Sequence, residues 1–322
     1  MIITFSHFVW FFARLFVPLT SSKVGWTSGK QRKLYFSLVF RSVCTTFAPN
    51  YQDMENYLSS TQNPRIKKLL ALQQKSSLRR ETGLFVVEGR REIRQCIDAG
   101  FEIDTLYVRA RESEAIAPDD MTAENIFFVS QHVYERIAYR ESTEGVIAVV
   151  RTRNRTLDEL SFKDNPLLMV LESVEKPGNL GAILRSADAA GADAVIVCDP
   201  LTDLHNPNLI RASLGAVFSV PCVACTSEEC IRFLKENHIR ILTAQLQDSH
   251  LYYDTDMTCA TAIVMGTEST GLTASWREAA DAHIRIPMNG KLDSLNVSVS
   301  AAVLLYEAVR QRLTSTGCSR SS

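Results

Sequence analysis

The 322-residue chain carries no disulfide framework. Its eight cysteines, Cys44, Cys96, Cys198, Cys222, Cys225, Cys230, Cys259 and Cys318, are scattered, several of them inside apolar stretches. That excludes a small disulfide-stapled domain and fits reduced, buried thiols. Cys222 and Cys225 form one C-x-x-C, but no second pair stands at ligand spacing, so packing is the expected use and no metal is expected. Clean apolar runs are missing too. The opening "MIITFSHFVWFFARLFVPLT" is interrupted by Arg14 and falls short of the roughly 20 apolar residues of a membrane span. It also lacks the basic start and small-residue cleavage site of a signal peptide. There is no internal repeat and no low-complexity stretch. What is present is ordinary: 46% hydrophobic and 22% charged residues, enough for a sizeable core in one large or two average domains.

Acidic residues are almost absent from the first 53 positions, where Arg14, Lys23, Lys30, Arg32, Lys33 and Arg41 face Asp53 alone. Without that segment, 29 bases face 35 acids, a net of −6 over 54–322. "MENYLSSTQNPRIKKLL", from Met54, reads as an ordinary start of folded chain. Residues 1–53 are therefore expected to be a mis-called or poorly ordered extension of a cytoplasmic protein, with organellar targeting as the other reading. Within the acidic body, residues 63–95 hold nine bases against three acids. Charge runs are usually solvated faces. Clustered Lys and Arg are also the footprint that phosphate binding requires, which makes Arg65, Lys67, Lys68, Arg79, Arg80, Arg90 and Arg91 candidates for nucleic-acid contact.

Residues 54–151 alternate between helical and strand patterns. Ile66, Leu69 and Leu70 follow helical spacing. "LFVVEG", "IDTLYVR", "NIFFVS" and "GVIAVVRT" read as strands, with helices at "RREIRQCIDAG" and "QHVYERIA". "RTRNRTLDELSFKDN" reads as a polar connector, 152–165. The alternation resumes over 166–312: "LLMVLES", "ADAVIVCDP", "RILTAQL", "TAIVMG" and "HIRIPMNG" as strands between helices, with "NLIRASLGAVF" and "SVPCVACT" left unassigned, closed by the long helix "SLNVSVSAAVLLYEAVRQRL". Residues 313–322 form a tail. A small alternating α/β unit follows, then a second α/β unit with parallel strands and crossover helices.

Three segments of the second unit each follow a strand, where α/β folds place ligands. "EKPGNLGAILRSA" (175–187) reads as a glycine-rich turn entering a helix, with Asn179 and Arg185 six residues apart. "MGTESTGL" carries Gly266, Glu268 and Gly271. "IPMNGKLDSLNVSVSAA" carries Ser294 and Asn296 at a helix start. Singly, each has a bland reading. The glycines suit a tight turn and do not make G-x-G-x-x-G. Glu268 suits a solvated turn. Ser294 and Asn296 are capping types. Arg185 has Asp188 and Asp193 nearby in sequence.

Together, N-x-G-x-x-x-R-(S/T)-A, M-G-x-E-x-x-G and I-P-M-x(6)-L-N-V-S-x-(S/A)-A, in this order, resemble the three motifs of the SpoU (TrmH-type) family. These are RNA ribose 2′-O-methyltransferases of the SPOUT superfamily. "NPNLIRASLGAVFSVP" matches the family's intermediate segment, and "NPRIKKLLALQQK…FVVEGRREI" resembles the substrate-binding domain of many members.

The resemblance implies a C-terminal α/β trefoil-knot domain preceded by a small L30e-like α/β domain. It implies S-adenosylmethionine bound mainly through main chain at Thr243, Ala244, Gly266, Ile286 and Leu295. It also implies a homodimer whose site is completed near the subunit interface; no membrane partner is expected, since the apolar opening falls short of a span. Asn179, Arg185, Glu268, Ser294 and Asn296 would be catalytic. A guanidinium grips phosphate as a fork, and free arginine is a poor base, so positioning of phosphate and hydroxyl is the favoured role for Arg185. The expected substrate is ribosomal RNA, with transfer RNA or non-catalytic RNA binding as alternatives. A nucleotide-dependent oxidoreductase or ordinary Rossmann methyltransferase would need glycine spacing that this chain lacks.

Overall fold

The computed structural model describes residues 55–110, 121, 123–139, 144–162, 164–267, 270–292 and 294–318. The expectations for 1–53 and for Glu268 fall outside them.

The first unit is a five-stranded sheet in the order β1-β4-β3-β5-β2. Its strands are β1 (Tyr57–Leu58), β2 (Leu84–Glu88), β3 (Ile103–Arg109), β4 (Asn125–Val129) and β5 (Val146–Arg151). β1, β4 and β3 run parallel, and β5 is antiparallel to both β3 and β2. The helices are α1 (Pro64–Gln74), α2 (Ser76–Thr82), α3 (Arg90–Asp98) and α4 (Gln131–Ile137). Asn63 caps α1 through a bond from Arg65 N, and Pro64 opens it. Ile66, Leu69 and Leu72, at helical spacing, are buried against Val86 and Val149. Each such burial is worth about 1.5–3 kcal/mol. The alternate β2 residues Phe85 and Val87 face the other way, onto Ile93 and Cys96 of α3. A sheet covered on both faces explains why its strands read as unbroken apolar runs. β1 has only two residues and α2 is a polar "SSLRRET", so neither carries a periodicity that sequence reading can detect.

The second unit is a seven-stranded sheet in the order β10-β12-β9-β11-β6-β7-β8, with every pairing parallel. Its strands are β6 (Leu167–Glu172), β7 (Ala194–Cys198), β8 (Cys222–Cys225), β9 (Arg240–Ala244), β10 (His250–Leu251), β11 (Thr261–Met265) and β12 (Ala282–Arg285). Helices α5 (Pro177–Ala190) and α10 (Val297–Cys318) cover one face, packing on Met169, Leu171 and Ile263. Helices α8 (Ser227–Glu236) and α9 (Ala274–Ala279) cover the other, where Trp276 is fully buried. The short α6 (Pro207–Ala212) and α7 (Ala216–Ser219) bring Ile210 and Phe218 into the core of the first unit. The alternation of strands and helices expected for both units is present. Helix α10 runs on past residue 312. Among the described residues, no helix is long and apolar enough to cross a membrane.

The C-x-x-C pair is split by the strand that carries it. Three residues apart on β8, Cys222 packs on one face of the sheet and Cys225 on the other. Cys225 instead joins Cys198 and Cys230, the three sulfurs lying within 4.8 Å of one another between the sheet and α8.

Candidate active site

A cleft of about 370 Å3 opens at the C-terminal ends of β9, β11 and β12, roofed by the first turns of α10. Its wall includes Ala244, Gln245, Gly266, Thr267, Gly271, Ile286, Ser294 and Leu295. The strand order reverses beside it, since the chain leaves β6 toward β7 and β8 and later returns to place β11 against β6. A crevice at such a reversal is where open α/β sheets bind ligands.

Gly266 makes the cleft possible. A methyl group there would strike the carbonyl of Gly271 and come within 2.6 Å of Leu272 N. The two stretches of main chain therefore lie against each other, held by Thr270 N donating to Thr267 Oγ1 (3.0 Å) and Gly271 N to Thr267 O (3.1 Å). Glu172, buried at the end of β6, supports this wall from behind. Its carboxylate accepts from Thr273 N (2.9 Å) and Thr273 Oγ1 (2.7 Å), fixing the residue after Leu272. Sequence reading had no signal for this role, because Glu172 sits in an apolar strand and its partner is 101 residues away.

Four of the five residues expected at the cofactor line the cleft: Ala244, Gly266, Ile286 and Leu295. Thr243 does not. It lies one residue back inside β9, fully buried, with Oγ1 2.6 Å from His283 Nδ1. Adjacent strand residues point to opposite faces, so both cannot face the cleft. The residue that sequence reading missed is Gln245. Its Nε2 donates to Gln247 O at 2.9 Å, while its buried Oε1 has no partner among the described residues. A buried acceptor left open is costly unless a ligand donor reaches it.

The catalytic candidates fall into two groups. Ser294 is on the cleft wall. Asn296 caps α10: its Oδ1 accepts from Ser298 N (3.0 Å) and Ser298 Oγ (2.6 Å). Its Nδ2 donates to Asn179 Oδ1 at 3.3 Å, joining the first and third sequence segments. The helix expected from Asn179 is present and begins two residues earlier, at Pro177, so Gly178 as well as Gly181 lies within α5. Gly181 serves the approach of two helices there, since a Cβ on it would lie 2.6 Å from Ala212 Cβ of α6.

Arg185 lies six residues beyond Asn179, about 9 Å along the axis and some 120° around it. It is exposed, away from the cleft wall, and makes no ion pair among the described residues. Its sequence neighbours are committed elsewhere. Asp188 accepts from Ser219 Oγ (2.7 Å) and Asp193 from Leu167 N (2.8 Å).

Of the basic candidates, Arg65, Lys67, Lys68, Arg80, Arg90 and Arg91 are exposed, with the Arg65 guanidinium 4.6 Å from the centre of the Phe127 ring. Arg79 is not on that surface. It is 3% exposed, with Nε on Asp203 Oδ2 at 2.7 Å and Nη1 on Leu72 O at 2.7 Å. A charge so enclosed is structural, and its context in the polar stretch "SSLRRET" could not separate it from Arg80.

Residues 166–306 match the SpoU rRNA Methylase family, and residues 63–148 match the MRM3-like substrate binding domain. The chain is 32% identical over 265 residues to a 23S rRNA (uridine(2479)-2′-O)-methyltransferase of Streptomyces viridochromogenes, covering 79% of this chain and 92% of the relative. It is 38% identical over 222 residues to the 23S rRNA (guanosine-2′-O-)-methyltransferase RlmB of Haemophilus influenzae, covering 66% and 90%. Among solved structures, the SpoU methyltransferase AviRb from Streptomyces viridochromogenes in complex with the cofactor AdoMet superimposes with a TM-score of 0.72 at 29% identity. That match covers 79% of this chain and 99% of AviRb.

Proposed function

The chain belongs to the SpoU rRNA methylase family, and we propose that it transfers a methyl group from S-adenosylmethionine to a ribose 2′-hydroxyl of ribosomal RNA. The observation that carries this reading is the Asn296–Asn179 bond, which ties two of the three motif segments together beside a cleft walled by the other. Relatives named for 23S rRNA, matched over both units, favour ribosomal over transfer RNA.

The cleft fits the cofactor. Gly266 keeps the wall free of a side chain, and the open Gln245 Oε1 is an acceptor for an adenine amino group. S-adenosylmethionine, when bound, supplies a methyl group on a sulfonium, already electrophilic. The protein must then bring the hydroxyl into line, which can contribute many kcal/mol. Asn179, with its amide oriented by Asn296, holds the ribose, and Ser294 closes the cleft side of the acceptor. Arg185, which makes no ion pair among the described residues, offers its fork to the adjacent phosphate and the hydroxyl.

Arg185 stands outside the cleft of its own chain, so the same proposal includes a homodimer in which it serves the cleft of a second copy. The long face of α10 supports this: Val299, Tyr306 and Leu313, seven residues apart, are 48%, 50% and 68% exposed. Such a stripe is the seam of a helix pair. The trefoil knot belongs to the proposal as well, supported by the position of β11 between β6 and β9.

The test is transfer of labelled methyl from S-adenosylmethionine to unmodified ribosomal and transfer RNA. Label in ribosomal RNA, protecting one linkage from alkali and absent with Arg185→Ala, is expected. Label in transfer RNA alone would overturn the substrate. Bound RNA without label would overturn the activity.

A further inference from the structure

A second cavity, of about 640 Å3, lies where the connector 152–155 and the loop 200–206 meet. The cofactor cleft does not share its residues. Its rim carries Arg80, Arg153 and Arg155. Asp203, the one acid on its wall among the described residues, is already neutralised by Arg79 at 2.7 Å. Arg153 Nη2 lies 3.5 Å from Glu159 Oε2, an exposed pair. The inner wall is aromatic. Phe101 and Phe218 meet edge to face with centroids 5.4 Å apart, and the His205 ring lies 4.6 Å from that of buried Phe85. Burial holds the His205 imidazole below its ordinary pKa, so the wall is neutral as well as aromatic near pH 7. The volume is that of a small-molecule site. Cations around a mouth and rings at the back are what a single-stranded nucleotide needs: phosphate on guanidinium, base on an aromatic face.

The cavity is coupled to the catalytic helix. Thr202 Oγ1, from its loop, donates to Glu175 O, two residues before α5 begins. Ser219, at the end of α7, bonds Asp188 of the same helix. RNA held here would be held in register with Asn179 and Arg185.

We infer that this cavity takes one unpaired nucleotide of the RNA substrate, distinct from the nucleotide methylated, with its phosphate on Arg153 and Arg155 and its base on the Phe101–His205 wall. The inference rests on the reading of the chain as an RNA methyltransferase, and it gives the "RTRNR" connector a use beyond joining two units.

The test is photo-crosslinking of the full chain to large-subunit ribosomal RNA transcribed with 4-thiouridine, read by peptide mass spectrometry. The expected result is a crosslink at Phe101 or within 200–206. It should be lost in Arg153→Ala/Arg155→Ala, whose RNA affinity falls at least tenfold while S-adenosylmethionine affinity stays within twofold. Crosslinks confined to other segments, or RNA that does not bind, overturn the inference. Displacement of the crosslink by micromolar uridine monophosphate also overturns it, because the occupant would then be a free nucleotide. Failure of the activity itself shows separately, as wild-type protein that gives the crosslink and transfers no methyl group.

Discussion

Asn296 Nδ2 donates to Asn179 Oδ1 at 3.3 Å, joining residues 117 positions apart in the chain. The same Asn296 caps α10 through its Oδ1. One side chain therefore serves stability with its oxygen and the site with its nitrogen.

Those two roles separate by substitution. Asn296→Asp keeps the acceptor that caps α10 and loses the donor to Asn179. It should melt within about 1 °C of wild type, since capping by Asp and Asn is equivalent, and lose at least tenfold in methyl transfer. Asn296→Ala should lose about 1 kcal/mol of stability as well. Thermal melts beside single-turnover transfer measure both. Equal activity in Asn296→Asp and wild type would leave Asn296 as a cap only.

Arg185 should act on the partner's site. Arg185→Ala and Gly266→Val, the latter closing the cofactor cleft, should each be inactive alone. Mixed in equal amounts and allowed to exchange subunits, half the dimers are mixed, and each of these has one intact site. About a quarter of wild-type activity should return. No recovery, with mixed dimers confirmed by two affinity tags, would place Arg185 and the cleft of its own chain in one site.

Arg79 should report on folding and its neighbour Arg80 on RNA. Arg79→Met leaves Asp203 enclosed beside a hydrophobic stem and should cost about 3 kcal/mol. Asp203→Asn should rescue part of that in the double variant. Arg80→Met, at an exposed position, should change stability by less than about 0.5 kcal/mol and weaken RNA binding. Denaturant melts and filter binding of the four proteins decide it.

Alkaline pH should destabilise the first unit. Burial pushes the Cys96 thiol up to about 12 from an ordinary 9.0. The folded state then holds a proton that the unfolded state gives up. The stability from this group is complete below pH 9 and is lost as pH rises toward 12, by about 1.4 kcal/mol per pH unit. Cys96→Ala should flatten the fall in melting temperature between pH 9 and 11. An unchanged slope would assign the loss to other groups.

The limits of the sequence show at particular residues. The longer strands were legible because each is an apolar run bounded by turn residues, whereas the two-residue β1 and β10 were not, and α5 ends at Gly191 with φ 67° as its composition indicates. The three motif segments were legible because each follows its own strand. The helix expected from Asn179 begins two residues earlier, at Pro177, because the first turn of a helix and a loop containing Pro177 and Gly178 share one composition. Glu172 and Gln245 were invisible, since Glu172 acts through a partner 101 residues away and the buried Oε1 of Gln245 has no partner among the described residues. Arg79 and Arg80 are adjacent and identical in type, yet one is enclosed and the other exposed.

Local interactions determined the rest of what the sequence alone shows: the alternation of strand and helix, the order of the motifs and the kind of chemistry they can hold. Helix caps and hydrophobic period act over a few residues, so a linear reading recovers them. Which side chains share a site was decided by the tertiary structure alone. The order in which parallel strands pair sets which strand ends are neighbours, and that order brings Asn179 to Asn296 and leaves Arg185 beyond the cleft.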